Sequence, residues 1–105
     1  MKIQITARHF KAKESTQEYI KEKVDGLSKY NENIIFADVI LSFDKPPADI
    51  KYCEIILKLK DKTLTAKESY GDFERAIDLA VEKIETQLYK VKDKQKTNKK
   101  SKQKL

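Results

Sequence analysis

The spacing of apolar residues is the feature that most constrains this chain, because it changes along the sequence between two residues and about 3.6 residues. The first stretch, "MKIQITAR", alternates strictly between apolar and polar side chains. Such alternation predicts a strand with one buried face. Similar stretches, rich in β-branched and aromatic residues, recur three times. We therefore predict strands over residues 2–8, 34–44, 50–60 and 63–69.

The alternation also predicts which side chains of the first three strands face the core. Pro46 and Pro47 cannot donate hydrogen bonds to a sheet, so we place them in the connection between the second and third strands. The predicted inward sets are Ile3, Ile5 and Ala7 in the first strand, Ile35, Ala37, Val39, Leu41 and Phe43 in the second, and Cys53, Ile55, Leu57 and Leu59 in the third.

Two other stretches place apolar residues at helical spacing, with charged residues opposite, and predict helices over residues 15–29 and 72–92. Asp72 is positioned to cap the second helix, because its carboxylate can accept hydrogen bonds from the first turn. Gly26 falls inside the first predicted helix, where it costs about 1 kcal/mol relative to alanine. The apolar stripes are Thr16, Tyr19, Ile20, Val24 and Leu27, and Phe73, Ile77, Ala80, Val81, Ile84, Leu88 and Val91.

The resulting order of elements, β-α-β-β-β-α, predicts an α+β fold built as a two-layer sandwich. Four strands with alternating polarity need one covered face, and the two amphipathic helices can cover it. We expect a four-stranded mixed sheet with both helices on one face. Since the apolar stripe stops at Val91, the folded domain should occupy residues 1–92.

The positive charge is concentrated at the C-terminus. The 105-residue chain has a net charge of +6, whereas residues 90–105 hold eight lysines and one aspartate, or +7. The remaining body therefore carries −1. We predict a disordered, lysine-rich tail over residues 93–105. It could serve as an arm for polyanions or only as a solubilising extension.

The sequence gives almost no support for an enzyme. His9 is the single histidine and has no metal-ligand or catalytic spacing around it. Cys53 alternates with apolar residues, which predicts a buried, inert thiol rather than a nucleophile. We expect no metal, no cofactor and no small-molecule substrate. With no signal peptide and no membrane-spanning stretch, a cytoplasmic protein is expected.

The candidate binding residues are cationic. Lys83, Gln87, Lys90 and Lys94 recur on one face of the second predicted helix, and Lys23 and Lys29 lie on the exposed side of the first. If both helices cover the same sheet face, these two stripes can be neighbours. Clustered ammonium groups suit a nucleic-acid backbone. Ordinary surface helices also carry such lysines, so charge alone is a weak signal.

The chain resembles, nearly end to end, the ribosome hibernation promoting factor family, also called the ribosome-associated inhibitor A or sigma-54 modulation protein family. The resemblance covers about residues 1–94 and is carried by "MKIQITARHF", "EYIKEKVDGLSKY", "ADVILSFDK", "TLTAKESYGDFERAID" and "KIETQLYK". It implies the short form of the family, a βαβββα domain related in shape to double-stranded-RNA-binding domains.

The resemblance also implies a function. Members of this family bind the small ribosomal subunit near the decoding centre, through 16S rRNA, and occupy the positions of mRNA and tRNA. Translation in idle ribosomes is thereby silenced, and a monomer is expected off the ribosome. The resemblance places Lys23, Lys29, Lys83 and Lys90 at basic family positions and Asp72 at the acidic position that opens the second helix. With Gln87 and Lys94 from the same helical stripe and Lys92 from the tail, these lysines are the candidate rRNA-binding residues.

Three positions depart from the family pattern. Gly26 and Thr86 stand where the family has basic residues, and Glu74 stands where tyrosine is frequent. These departures weaken the cationic surface of the body, and the lysine tail could compensate for them. Two other functions stay open: a general double-stranded-RNA-binding module, and a protein-interaction modulator of transcription.

Overall fold

The computed structural model describes the backbone of residues 1–104 and the side chains of residues 1–91. Its elements follow the predicted order β-α-β-β-β-α, with a short 3-10 helix after the first α-helix. They are β1 (Lys2–Ala7), α1 (Glu14–Asp25), the 3-10 helix (Gly26–Lys29), β2 (Ile34–Phe43), β3 (Lys51–Leu59), β4 (Thr63–Tyr70) and α2 (Phe73–Lys104).

The four strands form one sheet in the order β1-β2-β3-β4. β1 pairs in parallel with β2, with Ala7 opposite Leu41, whereas the other two pairings are antiparallel. The predicted mixed sheet is therefore confirmed. A parallel pair needs a crossover connection, and α1 provides it between β1 and β2.

Both helices pack on the same face of the sheet, as predicted, and enclose a single hydrophobic core. α2 lies against β3 and β4, while α1 packs against β1 and α2. Edge strand β1 contributes half-buried side chains. The fully buried large side chains include Ile20, Val24, Leu27, Val39, Leu41, Cys53, Ile55, Leu57, Ile77, Ile84 and Leu88.

The predicted inward face of β2 is wrong at its start and is only partly covered at its end. A register shift between Ile34 and Phe36 breaks the strict alternation. Ile34 is consequently buried, while Ile35 is 52% exposed. At the other end Phe43 is 37% exposed, and its ring meets the edge of Phe10 with the centroids 5.4 Å apart.

The first predicted helix is divided into two parts. α1 ends at Asp25, and Gly26 opens the 3-10 helix in right-handed helical backbone geometry, with φ −62° and ψ −18°. Glycine stabilises an α-helix poorly, and 3-10 turns are frequent at helix ends. Leu27 nevertheless reaches the core, as its place in the apolar stripe predicted.

The backbone of α2 is helical to Lys104, beyond the predicted end near residue 92. The side chains from position 92 onward, including Lys92 and Lys94, lie outside the described part of the chain. The division into a folded domain over residues 1–92 and a disordered tail over residues 93–105 thus stays a prediction.

Candidate nucleic-acid interface

The side of α2 next to β4 carries three of the predicted binding residues. The Lys83 Nζ atom lies 2.9 Å from the Glu68 Oε2 atom, in a pair whose lysine side chain is 58% exposed. The Gln87 amide donates a 2.7 Å hydrogen bond to the backbone oxygen of Thr65. Lys90, one turn farther along, is exposed. These contacts orient this polar side of α2 towards β4, the edge strand of the sheet.

Lys23 and Lys29 lie elsewhere, in the groove between the two helices. This inter-helix groove encloses about 400 Å³ and is lined by Glu22, Lys23, Gly26, Lys29, Asp78, Val81, Glu82 and Glu85. Four carboxylates therefore face two lysines, for a formal charge of −2. Lys23 also pairs with Asp78, at 3.8 Å between Nζ and Oδ1. The groove is acidic rather than cationic.

A tyrosine beside the groove links the two helices. The Tyr19 hydroxyl of α1 donates a hydrogen bond to the Asp78 carboxylate of α2. This hydrogen bond, with burial and the charge of Asp78, raises the pKa of Tyr19 to about 12. The Lys23 ammonium lies 5.5 Å from the centre of the same ring. Asp78 thus binds two groups of α1 and holds the helices together.

The expectation that the two lysine stripes are neighbours is wrong. The helices do share one sheet face, but α2 stands between the stripes. Lys83 and Gln87 contact β4, whereas Lys23 and Lys29 line the groove on the α1 side. The described cations of the helices therefore form two separate groups.

The three departures from the family pattern lie on exposed positions. Gly26 lines the inter-helix groove, and a Cβ atom built there would meet nothing within 4 Å. The Thr86 hydroxyl donates to the backbone oxygen of Glu82 at 3.0 Å. Glu74 is in the first turn of α2, where its negative charge interacts favourably with the positive end of the helix dipole. None of the three is required by the core.

Asp72 sits directly before α2. Its Oδ1 atom accepts a 2.8 Å hydrogen bond from the backbone N–H of Arg75, and its own backbone oxygen accepts from Ala76. This is the geometry of an N-cap. Asp72 therefore orders the start of the helix that carries Lys83 and Lys90.

A second polar cleft, which the sequence patterns did not indicate, lies where β1 and β2 end. This strand-end cleft encloses about 460 Å³ and is lined by Arg8, His9, Ser42, Phe43, Asp44, Lys45, Tyr52 and Lys67. The parallel pairing of β1 with β2 brings Arg8 beside Leu41 and hence beside Asp44 and Lys45. In the sequence, "ARH" and "FDK" stand at the ends of the first two predicted strands, but the pairing of those strands was not predicted.

Two observations bear on catalysis, and one on membranes. Burial, with the nearby Glu54 charge, raises the pKa of the Cys53 thiol to about 12, so it is not a ready nucleophile. Within the described residues, no three histidine, cysteine or acidic side chains are grouped to hold a metal ion. None of the helices in that part of the chain is long and apolar enough to cross a membrane.

Comparison with known proteins gives consistent results. The family model described as sigma 54 modulation protein / S30EA ribosomal protein matches residues 3–96. The ribosome hibernation promoting factor of Azotobacter vinelandii is 27% identical over 95 residues, which are 90% of this chain and 86% of that protein.

Two solved structures share the fold. A ribosomal subunit interface protein from Coxiella burnetii superposes with a TM-score of 0.81 at 25% identity, covering 89% of this chain and 99% of that one. The N-terminal domain of Thermus thermophilus Protein Y gives a TM-score of 0.77 at 26% identity, covering 87% and 99%. The similarity extends over the whole βαβββα unit.

Proposed function

Because this chain belongs to the sigma 54 modulation protein / S30EA ribosomal protein family, we propose that it is a ribosome hibernation factor. In this proposal it binds the small ribosomal subunit near the decoding centre, through 16S rRNA. It then blocks the binding of mRNA and tRNA and silences translation in idle ribosomes. It acts in the cytoplasm, without catalysis or cofactor, and is a monomer off the ribosome.

The family match over residues 3–96 is the observation that carries the proposal. It spans nearly the whole chain, and relatives of similar length are named for ribosome hibernation and for the ribosomal subunit interface. A match confined to one helix could reflect common amphipathic patterning. A match that includes all four strands and both helices is best explained by a shared binding role.

The proposed rRNA contacts are not equivalent. Lys83 is exposed, and surface ion pairs contribute at most about 1 kcal/mol, so a phosphate can replace Glu68 as its partner. Lys90 is also exposed. Lys23 and Lys29 lie among four carboxylates and should attract phosphates less. We assign the main helical contact to Lys83, Gln87 and Lys90, with Lys92 and Lys94 as its continuation.

Sedimentation of purified ribosomal subunits on sucrose gradients tests the proposal. The protein should sediment with small subunits and not with large subunits. Pre-binding of mRNA and initiator tRNA should exclude it. Equal binding to both subunits and to any duplex RNA would instead indicate a general double-stranded-RNA-binding module. A cellular partner that survives ribonuclease treatment would favour a modulator of transcription.

A further inference from the structure

The strand-end cleft holds a local excess of positive charge. Arg8, Lys45 and Lys67 line it together with Asp44, the single carboxylate among the described lining residues. The formal charge is therefore +2, without counting His9. The inter-helix groove, of similar size, carries −2. A body with a net charge of −1 thus concentrates its cations away from the inter-helix groove.

The cations of the cleft are available to a ligand. Within residues 1–91, Arg8, Lys45 and Lys67 form no ion pair with a carboxylate. Asp44 is instead bound by the Tyr52 hydroxyl, which donates a 2.8 Å hydrogen bond to Oδ2. Glu54 is the cross-strand neighbour of Lys67 between β3 and β4, but the two side chains form no ion pair. The Asp44 carboxylate is therefore hydrogen-bonded to Tyr52 and forms no ion pair with the three cations.

The cleft also offers an aromatic surface. The Lys67 ammonium lies 5.2 Å from the centre of the Tyr52 ring. Ser42 and Ser69 are the cross-strand partners of Tyr52, so both neighbours on the sheet are small. Cations beside a partly exposed ring suit a nucleic-acid strand, whose phosphates pair with the cations while a base or sugar packs on the ring.

We propose that the strand-end cleft is a second RNA-binding surface, separate from the helices, in which Arg8, Lys45 and Lys67 bind backbone phosphates. This proposal rests on the proposed function in that the RNA is taken to be ribosomal. The two surfaces lie at different parts of the domain: the cleft is at the ends of β1 and β2, and Lys90 is more than four turns along α2. Together they would fix the orientation of the domain on RNA.

The test compares two full-length variants of equal charge. The cleft variant carries Arg8→Gln, Lys45→Gln and Lys67→Gln. The control variant carries Lys21→Gln, Lys60→Gln and Lys62→Gln, three exposed lysines outside the cleft. Affinity is measured for small subunits by sedimentation, and for a labelled 20-nucleotide single-stranded RNA by fluorescence anisotropy, at several salt concentrations.

The cleft variant should bind both RNA targets at least about tenfold more weakly than the control variant does. Its slope of log affinity against log salt should shrink by about 0.7 to 0.9 for each phosphate that the cleft no longer binds. A third variant, Asp44→Asn, keeps an acceptor for Tyr52 but removes the carboxylate charge. It should bind about two- to threefold more tightly, as the removal of one repulsive charge implies.

Each other outcome overturns a distinct claim. Equally weakened binding in the cleft and control variants would show that only net charge matters. It would refute the proposal that the cleft is an RNA-binding surface. Loss of small-subunit binding with unchanged oligonucleotide binding would assign the cleft to an acidic protein surface. If the unmodified protein does not bind small subunits but binds the oligonucleotide through the cleft, the proposed function is refuted. The proposal that the cleft binds RNA is then retained.

Discussion

The inter-helix groove and the strand-end cleft contain the same local arrangement in opposite electrostatic settings. In each, a tyrosine hydroxyl binds an aspartate and a lysine lies over the tyrosine ring. The three residues are Tyr19, Asp78 and Lys23 beside the groove, and Tyr52, Asp44 and Lys67 in the cleft. In the groove the aspartate also pairs with the lysine, and three glutamates surround it. In the cleft no cation among the described residues pairs with the aspartate.

This difference indicates that a count of lysines alone does not describe the local charge of a surface. Lys23 and Lys29 occupy positions that the family resemblance marks as basic, yet the carboxylates of the groove offset them. Arg8, Lys45 and Lys67 come from three separate strands or loops, and Asp44 is the single carboxylate that opposes them among the described lining residues. A phosphate is attracted by positive electrostatic potential that nearby carboxylates do not cancel. That potential depends on the neighbours of each cation.

The largest effect should come from reversing the charge of both Lys83 and Lys90. The double variant Lys83→Glu, Lys90→Glu should weaken small-subunit binding on the order of 100-fold at physiological salt, because two phosphate contacts become repulsions. Its thermal midpoint should fall by no more than about 5 °C, since the Lys83–Glu68 pair that it removes is exposed. Sedimentation and thermal denaturation measure the two quantities.

The matched control for this variant is Lys60→Glu, Lys62→Glu, which changes the charge equally at the β3–β4 turn. It should lose affinity only slightly. If the control and the double variant lose affinity equally, the β4 side of α2 is not a binding surface. The loss would then reflect net charge alone.

The next largest effect is expected from removing residues 92–105. This deletion removes seven lysines and one aspartate, so the net charge falls from +6 to 0. Affinity should fall about tenfold, and the salt slope should shrink by about 0.7 to 0.9 for each phosphate that the tail had bound. The choice of ribosomal site should not change, because lysines read charge rather than shape.

A full-length variant with the same seven lysines replaced by glutamine separates charge from chain length. It should match the deletion in affinity and in salt slope. An unchanged salt slope in both proteins would mean that the tail only solubilises the domain. Binding at a different ribosomal site after the deletion would mean that the tail, and not the folded surfaces, selects the target.

A smaller effect of opposite sign should follow from adding a cation to the inter-helix groove. Gly26→Lys places an ammonium group beside Glu22, Glu82 and Glu85, where the structure leaves room for a side chain. Affinity for small subunits should rise about threefold, because the added ammonium offsets one of the groove carboxylates that repel RNA. Stability should rise by about 0.5 to 1 kcal/mol, since the backbone of Gly26 is already helical.

The Gly26→Ala variant is the control, because it shares the backbone effect and lacks the charge. Urea denaturation should give similar stabilisation for both variants, and only Gly26→Lys should bind more tightly. A tighter complex with alanine would attribute the gain to helix order rather than to the electrostatics of the groove.

The smallest effect concerns the tyrosine of the groove at alkaline pH. The pKa of Tyr19 is about 12 in the folded protein, against an ordinary value of 10.0, so folding stabilises its protonated form. This contribution to stability is complete below pH 10 and is lost as the pH rises towards 12. Denaturation midpoints should therefore fall more steeply over that interval in the parent protein than in Tyr19→Phe.

Ultraviolet titration of the tyrosines gives an independent check. The chain has five tyrosines, and one late-titrating group should disappear from the curve of the Tyr19→Phe variant. The control is Tyr70→Phe, whose exposed ring lies beside Arg75 and outside both sites. An unchanged late step in Tyr19→Phe would show that the hydrogen bond to Asp78 does not hold the proton.

The order of the elements, the fold class and most of the core could be predicted from the amino-acid sequence. Strand and helix periods are local properties, so Ile55, Ile77 and Ile84 could be assigned to the core from spacing alone. The family could likewise be identified from the sequence, over about residues 1–94, and the family model matches residues 3–96. The period failed at Ile35, because the register shift at the start of β2 depends on pairing with β3.

Which charges meet could be learned only from the folded arrangement. Tyr19 and Asp78 are 59 residues apart, and Lys83 and Glu68 are 15 apart on different elements. Arg8, Lys45 and Lys67 converge because β1 lies parallel to β2 and β4 runs back alongside β3. The periodicity of apolar residues indicates which face of a helix or strand is buried. The electrostatic field at a surface depends instead on distances between residues that are far apart in the chain. Those distances are set by tertiary packing.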